Sequence, residues 1–350
     1  MLKHYLRVVE TEEYRDDGEY NIMKVLYIYR NPRMGISIGK TYKQIEGMMS
    51  SHCEVDSITM PMDNYRPSSL IRNIQYTVNY LKEHKYDIVH ITGAEHYLIP
   101  FIPKRNLVVT VHDFGFYTQK KKSLKLQLKS LLWIKPLRMA KKVVCISNKT
   151  LREAEMLANL KKSQGTVVYE PVGREFVPTE KKSDWKYPTF LQVGTRPHKN
   201  LENTIKALEG FPCHLRIIGS LSIEQKGMLD KSEIDYSNAF NLTDEEICEE
   251  YKRCDVVNFI SLHEGFGMII AEGQAIGRVV VTSNIAPMPE IAGESAVIVD
   301  PQSIEDIRRG YSKAIREHDK YVRLGLENVK RFALEKSVAD LLEIYQSIVK

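Results

Sequence analysis

Nine short apolar runs punctuate the chain. Four lie in its first half: MKVLYIY (23–29), YDIVHIT (86–92), NLVVTV (106–111) and KVVCIS (142–147). Five lie in its second: TFLQVG (189–194), HLRIIG (214–219), DVVNFI (255–260), RVVVTS (278–283) and AVIVD (296–300). Most are continuous rather than alternating, the pattern of strands covered on both faces in a parallel sheet. Segments of helical period separate many of them, among them LENTIKALEG and TDEEICEEYKRC. In the latter, Thr243 precedes Asp244, Glu245 and Glu246, which predicts an N-cap with an acidic first turn. Strands alternating with helices predict an α/β protein, and right-handed crossovers wind each set into a doubly wound sheet.

The two sets predict two Rossmann-like domains facing a central cleft. The join is EPVGREFVPTEKKSDWKYP (170–188), rich in Pro, Lys and Glu and without periodicity, with the boundary near residue 175. The expected divisions are 1–22, an N-terminal extension of unknown role; 23–174, the first domain; 175–330, the second; and 331–350. The last contains SVADLLEIYQSIVK, an amphipathic helix expected to pack back on the first domain. Ligands of such folds bind beyond the carboxyl ends of the strands.

Composition narrows the function classes. The chain has 350 residues, 43% hydrophobic and 27% charged, with a net charge of +5. This mild basicity permits a polyanionic partner without demanding one. No apolar run approaches the roughly 20 residues that span a bilayer. The start lacks the apolar core and small-residue cleavage site of a secretory signal. Five cysteines (Cys53, Cys145, Cys213, Cys248, Cys254) include no C-x-x-C pair, which reads as free core thiols in a reducing cytosol.

The stretch HEGFGMIIAEG (263–273) follows the strand DVVNFISL and carries two carboxylates, Glu264 and Glu272. Gly265 and Gly267 let the backbone turn, and a helix starting near Met268 aims its positive end at the loop. A carboxylate bridging a vicinal diol is the physical logic of ribose recognition. Spacing alone carries little, because paired acids eight apart are common; the strand, glycine loop and helix around them carry more.

Residues 263–301, HEGFGMIIAEGQAIGRVVVTSNIAPMPEIAGESAVIVDP, closely resemble the signature block of the family-four retaining glycosyltransferases, which have the GT-B fold. The pattern E-G-F-G-x-x-x-x-E is followed in register by Ser283-Asn284, Pro289-Glu290, Gly293 and Asp300-Pro301. VGTRPHKNLENTIKAL resembles the family's loop after Gly194, with Arg196 and Lys199 at phosphate-binding positions. VVTVHDFGF places His112 where the family's histidine faces the donor sugar. KVVCISNKT and the glycine loop around Gly35 and Gly39 extend the likeness over residues 23–350.

The resemblance implies a retaining transferase that moves a hexose from a UDP- or GDP-linked sugar to a glycan or lipid-linked acceptor in surface polysaccharide synthesis. Glu264 would bind sugar hydroxyls and Glu272 the ribose. Arg196 and Lys199 would take up the leaving diphosphate's charge, helped by amides at Gly267, Met268 and Ile269. No cofactor or metal is expected, because the only Asp-rich spot, Arg15-Asp16-Asp17-Gly18, lies outside any strand pattern. For His112, a capped core residue is the competing reading. Asp113 either orients the imidazole or caps a turn.

The basic stretch 120–142 places Lys121, Lys125 and Lys129 on one helical face. It suits either an anionic membrane surface or a solvated flank. No nucleic-acid motif accompanies it, so no nucleic-acid partner is expected. The expected location is cytoplasmic, peripheral to the inner face of the membrane. The alternatives are another GT-B nucleotide-sugar enzyme, an epimerase or inverting transferase, or a non-catalytic basic membrane-binding protein.

Overall fold

The computed structural model describes residues 22–35, 37–119 and 123–349. The Asp16-Asp17 pair, Lys121 and the Lys125 side chain lie outside them. Two six-stranded sheets are present, and every strand pairing in them is parallel. The first holds β1 (Lys24–Tyr29), β2 (Glu54–Thr59), β3 (Ile88–Ile91), β4 (Leu107–Val111), β5 (Lys142–Cys145) and β6 (Gly165–Val167), in the order β2-β1-β3-β4-β5-β6. The second holds β7 (Thr189–Val193), β8 (His214–Ile218), β9 (Asp235–Ala239), β10 (Val256–Phe259), β11 (Val279–Ser283) and β12 (Val297–Val299), in the order β12-β11-β10-β7-β8-β9. The strand order reverses between β1 and β3 in one sheet and between β7 and β10 in the other. Those two switch points are where a doubly wound sheet opens a ligand crevice.

All nine apolar runs form strands. The three strands the pattern does not announce, β2 (EVDSIT), β6 (GTV) and β9 (DYSNA), are all edge strands. An edge strand is covered less completely, so polar residues are tolerated and the apolar signal fades. The interior strands β4, β10 and β11 are buried at every position.

The helix Asp244–Arg253 starts as its sequence predicts. Thr243 caps the Glu246 amide, and the Glu246 side chain caps the Thr243 amide in return. The helix Leu334–Val349 packs on the first sheet, with Val338, Leu341 and Leu342 against Val25, Tyr27 and Met49. Its Tyr345 hydroxyl lies 2.5 Å from His90 Nδ1 and 3.2 Å from the Tyr27 hydroxyl. Burial pushes the His90 imidazole down to about 3, so this contact is between neutral groups. All five cysteines are free and buried. None of the described helices is long and apolar enough to cross a membrane.

Candidate active site

The second sheet's switch point is assembled by two loops. After β7, the chain makes a short 3-10 turn, Pro197–Lys199, closed by Asn200 in the left-handed region at φ +61°. The buried Asn200 side chain donates to the carbonyls of Ile260 (3.2 Å) and Pro301 (2.8 Å). The Leu262 amide in the loop after β10 donates to the His198 carbonyl at 2.7 Å. These bonds hold the two loops together across the reversal in strand order.

Their side chains then meet. Lys199 Nζ lies 2.7 Å from Glu264 Oε1, and each side chain is 17% exposed. The ammonium also sits 4.7 Å from the centre of the Phe259 ring, a cation–π contact. Gly194 (φ +93°) makes room for this lysine, since a Cβ there would lie 3.0 Å from Lys199 Cγ. Arg196 is exposed and its guanidinium makes no hydrogen bond among the described residues.

Gly267 caps the helix Met268–Ile276 at φ +109°, a conformation that favours glycine. The first amides of a helix have no intrahelical acceptor, so this terminus offers donors and a positive dipole end. Ile269 is buried in the core, which leaves its backbone as what it can offer a ligand. Glu272 follows one turn later on the same helix. Its Oε2 accepts from the Tyr251 hydroxyl at 2.5 Å, and burial raises its pKa. Tyr251, itself buried, was not apparent in the sequence; only its place on a helix of strong amphipathic pattern hinted at an inward role.

His112 follows directly on β4, its side chain 12% exposed. Nδ1 lies 2.9 Å from Glu170 Oε1 and Nε2 lies 2.8 Å from the Thr92 carbonyl. A carboxylate and a carbonyl both accept, so this pairing favours the doubly protonated ring. Burial opposes that charge, but Glu170 and the Thr92 carbonyl outweigh it and raise the pKa. Both ring nitrogens are thus engaged, by Glu170 and by the Thr92 carbonyl. Asp113 Oδ1 accepts from the Gly115 amide at 2.7 Å, which settles its role as a turn cap. Glu170, in the unperiodic join, gave no sequence signal.

The two domains touch through the same loop. Ser147 Oγ donates to the Gly265 carbonyl at 2.9 Å, and a Cβ on Gly265 would lie 2.6 Å from the His112 carbonyl. Asn148 donates from its amide and its side chain to Glu290 Oε1, at 2.8 and 2.9 Å. Lys40 reaches across to Glu175 (3.2 Å) and Asp244 (2.7 Å). Gly35, predicted for the donor site, lies after β1 at φ +135°, and its carbonyl accepts from Arg30 Nε at 3.1 Å.

Residues 174–332 match the family described as Glycosyl transferases group 1, and residues 44–176 match Glycosyltransferase Family 4. The chain belongs to the family-four glycosyltransferases. The chain is 29% identical over 143 residues, 37% of its length, to the serotype-specific mannosyltransferase WbdA of Escherichia coli, and the match spans 17% of that protein. It is 25% identical over 246 residues to the O-antigen chain mannosyltransferase RfbU of Salmonella typhimurium, covering 66% of this chain and 65% of that one. Anabaena HepE, solved with UDP and glucose, superposes with a TM-score of 0.69 at 15% identity, over 93% of this chain and 100% of that one. The last likeness establishes the GT-B fold of this glycosyltransferase.

Proposed function

We propose that the protein transfers a hexosyl unit from a nucleotide-diphosphate sugar to a glycan or lipid-linked acceptor, with retention of anomeric configuration. The observation that carries this reading is the Lys199–Glu264 pair at the second switch point, beside the amino end of the helix that bears Glu272. Lys199 would exchange Glu264 for the diphosphate, joined by Arg196 and the amides at Gly267, Met268 and Ile269. Glu264 would turn its freed oxygen to the sugar hydroxyls. Glu272 would accept from the ribose diol. The His112 imidazolium would add positive charge on the first domain's side.

In this scheme the bond between C1 and the phosphate oxygen breaks as the acceptor oxygen bonds to C1 on the same face. The acceptor's proton passes to the departing phosphate oxygen, and a nucleoside diphosphate leaves. Positive side chains carry the charge that builds on the leaving group, so the scheme needs no metal. Mannosyl donors are favoured by the similarity to WbdA and RfbU, and UDP-linked donors by the HepE complex. Proton NMR of the product tests the stereochemistry: an α-linked product from an α-linked donor is expected, and a β-linked product would overturn retention.

A peripheral contact with an anionic membrane is part of the same reading. The helix Leu124–Trp133 buries Leu126, Ser130 and Trp133 and exposes Leu124, Leu128, Leu131 and Leu132 on its opposite face. Those four positions follow a helical stripe, flanked by the exposed Lys129, Lys135 and Arg138. An apolar stripe edged with cations matches a lipid surface, which would also present a lipid-linked acceptor.

A further inference from the structure

Beneath the loop that carries Lys199 runs a buried relay of polar side chains. Gln192 on β7 and Asn258 on β10 are register partners, on the two strands between which the second sheet reverses its order. Two positions earlier on the same strands stand Phe190 and Val256, which share an apolar core cluster with Tyr311. Residues two apart in a strand line one face, so Gln192 and Asn258 continue an apolar face with polar groups. Each is 1% exposed. A polar pair buried this deeply is tolerated only if its donors and acceptors are all matched.

They are matched, and every donor points the same way along the relay. The Tyr311 hydroxyl, on the helix Ile304–Arg316, donates to Asn258 Oδ1 at 2.9 Å. Burial pushes that hydroxyl's pKa up, so it stays protonated. Asn258 Nδ2 donates to Gln192 Oε1 at 2.6 Å and to Thr204 Oγ1 at 2.9 Å. Thr204 Oγ1 donates in turn to the Asn200 carbonyl at 3.2 Å. Gln192 Nε2 donates to the carbonyls of Gly194 and Lys199, both at 3.1 Å. Turning the Gln192 amide over would set its oxygen against both carbonyls and its NH2 against that of Asn258, so the relay admits one orientation.

The relay ends on the two ends of one loop. Gly194 leaves β7 and Lys199 closes the 3-10 turn that follows. Both carbonyls are drawn to a single nitrogen, which pins the loop to the strand before it. That loop displays Arg196 and Lys199, the cations of the candidate site. An apolar pair of the same shape would fill the core at little cost, because both partners would be replaced together. It would also release the loop. What the relay adds over an apolar filling is a fixed seat for the cation, as a charge that must meet an anion at a set position requires.

We propose that Gln192 is a positioning residue for the anion site, seating Lys199 where its ammonium meets the ligand while touching no ligand itself. Naming the anion a sugar nucleotide's diphosphate rests on the transferase reading; the placement of Lys199 by Gln192 does not.

Phosphorus NMR of the full chain with inorganic pyrophosphate tests it, in a cycle of wild type, Gln192→Met, Lys199→Ala and the double variant. The wild type should bind pyrophosphate, and Lys199→Ala should weaken that binding at least about tenfold. Gln192→Met, which keeps the bulk and loses the amide, should weaken it about three- to tenfold and add nothing on the Lys199→Ala background. A merely structural residue would not give that non-additivity, since a loosened domain loses binding on both backgrounds. Full affinity in a folded Gln192→Met, an undiminished loss on the Lys199→Ala background, or a wild type that binds no pyrophosphate or binds it without Lys199 would overturn the assignment. Should Gln192→Met not fold, Tyr311→Phe takes its place, with about a two- to threefold loss expected and an unchanged affinity contradicting. A wild type that binds pyrophosphate through Lys199 yet neither binds nor consumes a nucleotide sugar sinks the transferase reading and leaves the positioning role standing.

Discussion

Lys199 and Glu264 lie 2.7 Å apart across the point where the second sheet reverses its strand order. Each is the other's counter-ion, and each is the group a nucleotide sugar needs: a cation for the diphosphate and an acceptor for hydroxyls. Removing either partner strands the other in a largely closed site. In denaturant unfolding, Lys199→Ala and Glu264→Gln should couple by ~1–2 kcal/mol, the double variant losing less than the sum. In turnover, Lys199→Ala should lower kcat by about 10²–10³-fold, as loss of one positioned charge-stabilising group does. Strict additivity in the unfolding cycle would show that the pair does not act as a unit.

His112 carries a raised pKa because Glu170 and the Thr92 carbonyl outweigh the burial that opposes its charge. A raised histidine stabilises the fold fully below its unfolded value of about 6.5 and loses that contribution as pH rises through the folded pKa. The gap in melting temperature between the wild type and Glu170→Gln should therefore be widest near pH 6 and shrink toward pH 9. NMR of the imidazole C2–H should show the His112 titration moving to lower pH in the variant. A gap that widens as pH rises contradicts the imidazolium.

Glu272 is held at a cost. Burial raises its pKa, so ionising it weakens the folded state as pH rises from its unfolded value through the folded one. Glu272→Gln should melt higher than the wild type above that range and bind nucleotide about tenfold more weakly, since a bridging carboxylate is lost. Calorimetric titration with UDP and GDP reads the second effect. Unchanged affinity for both nucleotides would remove Glu272 from the ribose site.

Gly265 has no room for a side chain. A methyl there would meet the rigid backbone carbonyl of His112 at 2.6 Å, at the contact between the two domains. Gly265→Ala should destabilise by ~1–3 kcal/mol through overpacking and slow transfer by loosening domain closure. A variant with wild-type melting and turnover would show that the contact yields freely.

The leucine stripe on Leu124–Trp133 has its own readout. Leu128→Ser with Leu131→Ser should leave the melting temperature within a few degrees, since both side chains are exposed, and reduce sedimentation with phosphatidylglycerol vesicles several-fold. Equal sedimentation of the two proteins would remove the membrane contact.

Much of the fold was legible because interior strands must be apolar on both faces, and all nine such runs proved to be strands. β2, β6 and β9 escaped because edge strands need not be apolar. The site was legible where chemistry is local: the glycines and acids of residues 263–273 lie on one strand, loop and helix. It was not legible where partners are distant. Nothing near Glu170 points to His112, 58 residues away, and nothing near Tyr251 points to Glu272. The exposed leucines were obscured because the same ten residues carry a buried stripe as well, and only packing tells the two apart.

The central claim is that the Lys199–Glu264 site receives the diphosphate of a nucleotide sugar. Isothermal titration of the wild type and Lys199→Ala with a panel of UDP- and GDP-sugars tests it most directly. At least one donor should bind the wild type saturably, with affinity falling at least about tenfold in Lys199→Ala. Equal affinity in the two proteins, or no binding of any donor to the wild type, would contradict it.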